Sequence, residues 1–357
     1  MLFPKTFSQN FVIAILLLIT AAGCSDNGTG SQGIDYNASP MLENEANNII
    51  LQTYIDLDTN AAELVSAVQT LQQNTTQGNL DAAQKQWRNT REPWESSEGF
   101  LIGPVESEGI DPAIDDWPVN KTDLDNVLAS SDELAKEYID GLDTGLKGFH
   151  TIEYLLFGDS NDKTINDFTE RQFDYLVATA KSLKGETSRL VSAWNSNGGN
   201  YVETLAKAGN GSNVYLSQKS AIEELISGME GIADEVANGK IGDPYSQQDP
   251  TLVESQFSFN SKTDFQNNIR SILHMYTGNY KDSEGPGVSD FVITLDSELD
   301  SRFKAEINAA ITTIGNIQGN FRDAITDNPD GVENAQQAVQ TVLLTLQKDI
   351  KPLINEL

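Results

Sequence analysis

Cysteine, histidine and basic residues are scarce in this chain of 357 residues. One cysteine and two histidines leave no means of forming an internal disulfide or a zinc site built on Cys/His clusters. The 23 lysines and arginines stand against 53 aspartates and glutamates, which gives a net charge of -30. Because such a chain repels phosphate backbones, nucleic-acid binding is excluded. Any bound metal ion must be held mainly by oxygen donors.

Long hydrophobic runs are also missing. Near the N-terminus, Phe11 to Ile19 is an unbroken apolar run of nine residues, too short to span a bilayer but typical of a signal peptide. Small residues then lead to Cys24, and this stretch resembles a bacterial lipobox with Ala21 where leucine is usual. We predict that residues 1–23 are a lipoprotein signal peptide and that Cys24 is lipidated. The alternative is a plain secretory signal with a chance cysteine.

The segment after this cysteine is predicted to be a spacer. Residues 24–43 are rich in glycine, serine, asparagine and aspartate, and such a composition favours a flexible tether. A lipidated Cys24 would anchor the protein in the bacterial envelope, and Ser25 followed by Asp26 permits sorting to the outer membrane, facing either the periplasm or the cell surface. Because the acidic body is repelled by anionic membranes, we expect the N-terminal lipid to be the only membrane contact.

The rest of the chain shows no alternating strand pattern of useful length, and its apolar residues recur at helical spacing. We therefore predict an all-α fold, with a long helix over 124–157 among its elements. Irregular stretches rich in proline and glycine interrupt the pattern at 102–120 and 242–261. One such stretch in each half hints at an internal duplication. We expect an N-terminal helical bundle over 44–200 and a C-terminal bundle over 201–357.

One helical stripe combines tryptophans with charges. At about 100° per residue, four side chains fall on one narrow face: Trp87, Arg91, Trp94 and Glu98. Two bulky aromatic rings on a face predict burial, so Arg91 and Glu98 are expected to be partly buried charges. Such groups are costly unless they are paired or bind a ligand. A salt bridge beside two core tryptophans is the equally weighted alternative.

A second pattern lies between Gly148 and Gly158. His150 and Glu153 are three residues apart and therefore neighbours on one helical face. Helix-borne metal sites use the same offset in the reverse order, as Glu-x-x-His. The alternative is a hydrogen bond from Glu153 that satisfies a buried histidine. Because two side chains are too few for tight metal binding, further oxygen ligands are needed, and Glu98 and Asp116 are the candidates.

Other catalytic patterns are absent from the sequence. It has no His-Glu-x-x-His motif, no serine nucleophile elbow and no phosphate-binding glycine loop. The second histidine, His274, lies one helical turn after Arg270 and is predicted to be an interface or surface residue rather than part of a site.

Several blocks of this sequence together resemble the imelysin-like family. Gly148-x-His150-x-x-Glu153 is similar to the family signature. Residues 87–104 and 115–118 resemble its first block, and 254–258, 268–270 and 276–278 resemble its last. These blocks cover most of residues 44–357 in family order, with Gly99 where alanine is expected.

The resemblance implies an all-helical protein of two bundle-like halves with a site at their junction. It also implies export, often as a lipoprotein, an association with bacterial iron uptake, and the label of a metallopeptidase. His150 and Glu153 match the His-x-x-Glu positions, with Glu98 and Asp116 as the further candidate metal ligands. The candidate ligand-binding residues, most of them at recurrent positions of the family, are Arg91, Trp94, Trp117, Ser255 and Arg270.

Two functions from different classes follow, and a domain-interface network without any metal is a third possibility. The first is a binding protein that captures iron, a ferric chelate or haem at the envelope, together with other iron-uptake components. Ferric iron prefers oxygen ligands, which suits a chain rich in carboxylates and poor in histidine, and Arg91 and Arg270 are expected to hold a synergistic anion or a chelator carboxylate. The second is a metallopeptidase with zinc. It ranks lower because a single motif histidine leaves zinc short of ligands.

Overall fold

A computed structural model describes residues 34–357. In the first half of the chain, a π-helical segment (Glu45–Ile50) joins the first two α-helices, and short 3₁₀ turns lie at Glu98–Phe100, Thr144–Leu146 and Ile165–Asp167. The α-helices are α1 (Ser39–Asn44), α2 (Leu51–Gln73), α3 (Gln77–Glu95), α4 (Pro104–Ser107), α5 (Asp111–Asp115), α6 (Lys121–Ala129), α7 (Lys136–Asp140), α8 (Gly148–Phe157) and α9 (Glu170–Trp194).

The second half is also helical. Its α-helices are α10 (Tyr201–Ala206), α11 (Gln218–Asp234), α12 (Asp243–Gln247), α13 (Ser261–Thr277), α14 (Val288–Leu295), α15 (Ser297–Gly315), α16 (Phe321–Asp327) and α17 (Pro329–Thr345). π-Helical segments lie at Glu235–Gly242 and Leu346–Ile350, and 3₁₀ turns at Pro250–Leu252 and Lys351–Glu356. A small antiparallel hairpin pairs β1 (Asn279–Tyr280) with β2 (Ser283–Glu284). The predicted all-α class is confirmed.

Amphipathic helices build the core. In α2 the buried apolar side chains recur every three or four residues, at Tyr54, Leu57, Ala61, Leu64, Val68 and Leu71, so one stripe of the helix faces inward. α2 packs along α3 and α9, whereas α15 packs along α13 and α17. α3 also contacts α13 and so connects the two groups. Across residues 34–357, none of the helices has both the length and the apolar character needed to span a bilayer.

The described chain begins with a segment that is bound to the second half of the chain, where α1 contacts α10 and α11. The Ile34 N–H donates to the Glu356 carbonyl at 2.7 Å, and the Asn44 amide donates to the Gly278 carbonyl at 2.8 Å. Met41 and Leu42 are buried, so α1 belongs to the folded body and the predicted boundary between tether and bundle at residue 44 lies too far along the chain. The predicted signal peptide, Cys24 and the first part of the tether lie outside the described residues.

The chain over 124–157 is not the single helix that was predicted. This stretch contains the last part of α6, then α7, a 3₁₀ turn and α8. Gly148 starts α8 with a φ of 75°, a left-handed conformation that favours glycine. A Cβ at this position would lie 2.4 Å from the Ile114 carbonyl oxygen. The break therefore brings the beginning of the His150 helix directly against the end of α5.

Candidate functional site

A cleft of about 530 Å³ opens where the two irregular stretches of the chain meet. Leu101 and Leu252 contribute apolar surface, and Trp117 and Lys240 also line it. Most of the other lining side chains are carboxylates: Glu98, Asp111, Asp115, Asp116, Glu235, Asp243 and Glu254. A concave surface with this excess of negative charge concentrates cations.

His150 lies behind the wall of the cleft and is fully buried. Its Nε2 is 3.1 Å from Asp115 Oδ1 and 3.6 Å from Glu254 Oε1. Asp115, His150 and Glu254 each present one potential ligand atom, and these three atoms lie within 4.8 Å of one another. We call these residues the His150 group. The Trp117 ring stands edge-on to the imidazole, with 4.8 Å between the ring centroids.

Glu153 holds the imidazole in place. Its Oε2 lies 3.0 Å from His150 Nδ1, while its Oε1 accepts hydrogen bonds from the Phe257 N–H at 3.1 Å and from the N–H and hydroxyl of Ser258, both at 2.8 Å. With both oxygens engaged, Glu153 is placed to orient the ring and direct Nε2 towards Asp115. The geometry favours this positioning role over the predicted role of metal ligand.

Arg91 is the central buried cation of the site. Its guanidinium pairs with Asp115 and with Glu254, and it lies 2.6 Å from Glu95 Oε1 and 3.6 Å from Asp264 Oδ2. α3 ends at Glu95, so the predicted stripe stops there and Glu98 follows in a 3₁₀ turn. Glu95, one turn after Arg91, therefore takes the paired position that the sequence pattern suggested for Glu98.

The surrounding charges keep two members of the His150 group ionised. Burial alone would raise the pKa of Asp115, but Arg91 and His150 hold the pKa well below its usual range. Burial opposes ionisation of Glu254 in the same way, and Lys240, His150 and Arg91 lower the pKa to about 2. Both side chains are therefore carboxylates at neutral pH and offer hard oxygen donors.

The pKa values of Glu95, Glu98 and His150 are raised instead of lowered. Burial raises the pKa of Glu95 to about 8 despite Arg91 and Lys240, and it raises the pKa of Glu98 well above its usual value despite Lys240. Burial and Arg91 act to lower the pKa of His150, but Asp115 and Glu153 raise it well above its usual value. A raised pKa favours the imidazolium form, which has an N–H on both ring nitrogens, so a metal ion at Nε2 would have to displace the proton on that nitrogen.

Three other residues that the sequence predicted, Trp94, Ser255 and Asp116, lie at or near the cleft, but they have different contacts. Trp94 is buried, and its indole N–H donates to Asp115 Oδ2 at 2.5 Å. Ser255 is buried beside Asp264. Asp116 lines the cleft, but its Oδ2 accepts a hydrogen bond from the Thr144 hydroxyl, and the neighbouring Asp115 is the residue that joins the His150 group.

Arg270 and His274 do not line the cleft. Arg270 donates from Nη1 to Asn267 Oδ1 at 2.6 Å, so the expectation that it holds a ligand anion in the site is not supported by its position. His274 places Nδ1 2.8 Å from the Asn279 carbonyl, in agreement with the prediction of a histidine outside the site.

Five residues of the site were missed by the reasoning from sequence: Glu95, Asp115, Lys240, Glu254 and Asp264. Glu254 opens a block that resembles the family, and Asp115 stands next to the chosen Asp116, so both positions carried a signal that was not used. Glu95 could have been found by counting one turn from Arg91. Lys240 and Asp264 carry no local signal for the site, because the site residues they pair with, Glu98 and Arg91, are distant in sequence.

The donor set suits a hard cation. In addition to the His150 group, Glu95, Glu98, Asp115 and Glu254 bring one oxygen each within 4.8 Å of one another. We call these four residues the carboxylate cluster. Asp115 and Glu254 belong to both groups, so one imidazole nitrogen and several carboxylate oxygens converge in a small volume. This combination fits iron, and particularly ferric iron, better than a soft metal that prefers thiolates.

Comparisons with known proteins agree with this architecture. The family model described as Imelysin matches residues 50–348. Iron-regulated protein A of Synechococcus elongatus is 31% identical over 321 residues, which cover 88% of this chain and 86% of that protein.

Two solved structures are similar over almost their whole length. An iron-regulated protein A precursor from Parabacteroides distasonis has a TM-score of 0.82 and 26% identity, with 91% of this chain and 97% of that chain covered. An imelysin-like protein from Psychrobacter arcticum shares the fold, with a TM-score of 0.72, 14% identity and coverage of 90% and 98%. Together with the match over residues 50–348, these similarities show that the chain belongs to the imelysin family.

Proposed function

We propose that this protein is a lipid-anchored component of the bacterial envelope that binds iron, or an iron-bearing ligand, as part of iron uptake. The observation that carries the proposal is the His150 group, in which Asp115 and Glu254 line an acidic cleft and His150 lies directly behind them. The name of the relative from Synechococcus elongatus, an iron-regulated protein, supports the link to iron.

The chemistry of the site suits capture of this cargo. Asp115 and Glu254 supply ionised oxygens, and His150 supplies one nitrogen once its proton leaves. Arg91 and Trp94 hold Asp115 in place, and Glu153 holds the imidazole. Such support keeps the donors in position before the cation arrives, which raises affinity because less ordering is needed on binding. Water or a chelator on the cleft side would complete the coordination.

Metal titration tests the proposal. The mature protein, stripped of metal, is titrated by calorimetry with ferric nitrilotriacetate and separately with zinc chloride. We expect stoichiometric binding of iron, with loss of at least ten-fold in affinity in His150→Ala and Asp115→Asn. His274→Ala is the matched control, because this histidine lies outside the cleft. Wild-type protein that binds no iron, or His150→Ala protein that binds it equally well, would contradict the proposal.

The metallopeptidase alternative rests on the family label. Glu153, the motif carboxylate, already accepts hydrogen bonds on both oxygens, so it is poorly placed to act as a general base towards a metal-bound water. Incubation of the zinc-loaded protein with an unfolded protein substrate tests this alternative. Cleavage that disappears in His150→Ala would establish peptidase activity and displace the binding function as the main role.

The anchor is tested separately. Small residues before Cys24 and the apolar run of the signal segment support lipidation. In a bacterial host that processes lipoproteins, metabolic labelling with a palmitate analogue should mark the wild-type protein. It should leave Cys24→Ala unlabelled, and this variant should appear in the soluble fraction. An unlabelled wild type, or a labelled Cys24→Ala, would show that the anchor is wrong without affecting the iron titration.

A further inference from the structure

A lysine ammonium stands among the carboxylates that face the cleft. Lys240 reaches inward from the π-helical segment Glu235–Gly242, and its side chain is only 7% exposed. Its Nζ lies 2.8 Å from Glu254 Oε2, 3.0 Å from Glu98 Oε2 and 3.7 Å from Glu95 Oε2. The fourth member of the carboxylate cluster, Asp115, is held instead by Arg91 and His150.

Glu254 connects this lysine to the His150 group. One of its oxygens faces Arg91 and His150 Nε2, and the other pairs with Lys240. A cation that binds Glu254 with both oxygens, or that uses Glu98 as well, must take the place of the ammonium. A cation that binds only Oε1 still meets the repulsion of the ammonium on the other side of the same carboxylate.

The structure offers the ammonium a second partner nearer to the solvent. Glu235 Oε1 lies 3.7 Å from Lys240 Nζ, and the Glu235 side chain is 57% exposed. A lysine carries its charge on a flexible four-carbon chain, so Nζ can move towards Glu235 and remain paired. Arg91 has no such freedom, because it is fully buried among four carboxylates.

We propose that Lys240 is a displaceable counter-ion that determines which cations the site accepts. A multivalent cation entering through the cleft binds Glu254 and Glu98, and the ammonium moves to Glu235. A monovalent cation brings no more charge than the ammonium and does not replace it. Lys240 is thus a selectivity residue and not a ligand. This inference rests on the proposed function, because it concerns the same site.

The first test compares substitutions of Lys240 in the calorimetric titration. Lys240→Met removes the charge at similar length, and we expect it to bind ferric nitrilotriacetate at least ten-fold more tightly than wild type. Lys240→Arg keeps a charge that binds carboxylates in a bidentate manner, and we expect at least ten-fold weaker binding. Lys184→Met is the matched control, because Lys184 pairs with Asp58 at 2.8 Å and neither residue lines the cleft.

The second test uses wild-type protein and does not depend on the folding of a variant. Brief acetylation with an N-hydroxysuccinimide ester, followed by peptide mass spectrometry, measures the accessibility of Lys240 with and without ferric nitrilotriacetate. We expect iron to increase labelling of Lys240 at least two-fold and to leave labelling of Lys184 unchanged. A third, separate test uses a variant: Glu235→Gln removes the outer partner of Lys240 and should weaken iron binding several-fold in the calorimetric titration.

The outcomes separate this inference from the proposed function. If wild type binds iron through His150, but iron does not raise Lys240 labelling or Lys240→Met binds no tighter, the role of Lys240 is overturned and the proposed function stands. If wild type binds no iron, both are overturned.

Discussion

Four hydrogen bonds converge on the carboxylate of Glu153, three of them from residues 257 and 258 to Oε1 and one between Oε2 and the His150 imidazole. The two motif residues, His150 and Glu153, therefore have different positions relative to Asp115 and Glu254. His150 presents Nε2 to Asp115 and Glu254, and Glu153 lies on the far side of the ring. A carboxylate that is hydrogen-bonded to the ring nitrogen opposite the metal-binding one usually raises the basicity of a histidine ligand and fixes its tautomer.

Replacing the Glu153 carboxylate by an amide should weaken metal binding. In Glu153→Gln, the amide NH₂ group must face either the Ser258 N–H or the imidazole N–H, so one of these contacts becomes repulsive. We expect affinity for ferric nitrilotriacetate to fall by about 10–100-fold in the calorimetric titration. Glu186→Gln is the control, because Glu186 pairs with Arg189 away from the cleft. Unchanged affinity in Glu153→Gln would show that ring orientation does not matter.

Glu45 is a second carboxyl group with an unusual environment. It is fully buried in the segment Glu45–Ile50, and neither carboxyl oxygen has a hydrogen-bond partner. Burial raises its pKa well above the usual value of 4.5. The native state therefore keeps a proton that the unfolded chain releases above that pH. This residue consequently makes the free energy of unfolding decrease as pH rises from about 4.5.

Removing this carboxyl group should stabilise the protein. We expect Glu45→Met to raise the free energy of unfolding at pH 7 by about 1–3 kcal/mol, because an unsatisfied buried polar group is lost. The gain should be smaller at pH 4, where the wild-type side chain is neutral in the native state and mostly neutral in the unfolded chain. Urea unfolding at the two pH values measures the difference. A destabilised variant, or an equal gain at both pH values, would indicate that Glu45 has a stabilising partner or an ordinary pKa.

At the scale of elements, the site depends on where helices begin and end. α5 ends at Asp115 and α8 begins at Gly148, and the two ends meet so that Asp115 and His150 face each other. α3 ends at Glu95. Arg91 and Glu95 therefore lie on one helical face, and Glu98 lies in the 3₁₀ turn that follows. The 254–258 segment then closes the group with Glu254 and the two N–H donors to Glu153.

Gly148 tests the contact between α5 and α8. In Gly148→Ala, a Cβ would lie 2.4 Å from the Ile114 carbonyl oxygen, at a φ of 75°. Because left-handed backbone alone costs about 1–2 kcal/mol for a non-glycine residue, we expect destabilisation of more than about 2 kcal/mol and weaker iron binding. Gly141→Ala is the control, since its nearest contact would be 3.5 Å and its φ is negative. Wild-type stability in Gly148→Ala would show that the two helix ends can separate freely.

At the scale of the whole molecule, net charge opposes compactness. A charge of -30 produces repulsion between surface carboxylates, which salt screens over a Debye length of about 10 Å at 0.1 M. The buried pairs around Arg91 are screened much less. Added salt should therefore relieve more repulsion than attraction.

We expect the free energy of unfolding to rise by about 1 kcal/mol between about 10 mM and 500 mM sodium chloride, which corresponds to about 1–2 °C in Tm for a chain of this size. Thermal unfolding followed by circular dichroism at constant pH measures the change. Sucrose at equal osmolarity is the control for effects unrelated to charge. A fall in Tm with salt would mean that attractive surface pairs dominate.

Local patterns in the sequence determined the helical class and the pairing of His150 with Glu153. Helical spacing of apolar residues depends only on neighbours three and four positions away, so it predicts stripes such as that of α2 without knowledge of the fold. The same spacing placed His150 beside Glu153. The scarcity of cysteine and histidine also predicted that any metal site would consist mainly of oxygen donors.

Only the tertiary structure decided which carboxylates meet the imidazole. Arg91 and Glu254 are 163 residues apart, and Glu153 and Ser258 are 105 residues apart, so their contacts depend on the paths of two irregular stretches that have no periodic pattern. α5 ends at Asp115 and the backbone is already extended at Asp116, so the two neighbouring aspartates reach different partners, His150 and Thr144. The end of α3 likewise separates Glu95 from Glu98. Lys240 reaches the site because its segment, Glu235–Gly242, packs against α13 and α17. Spacing along the chain describes one helix at a time, whereas a site formed between segments depends on how they pack.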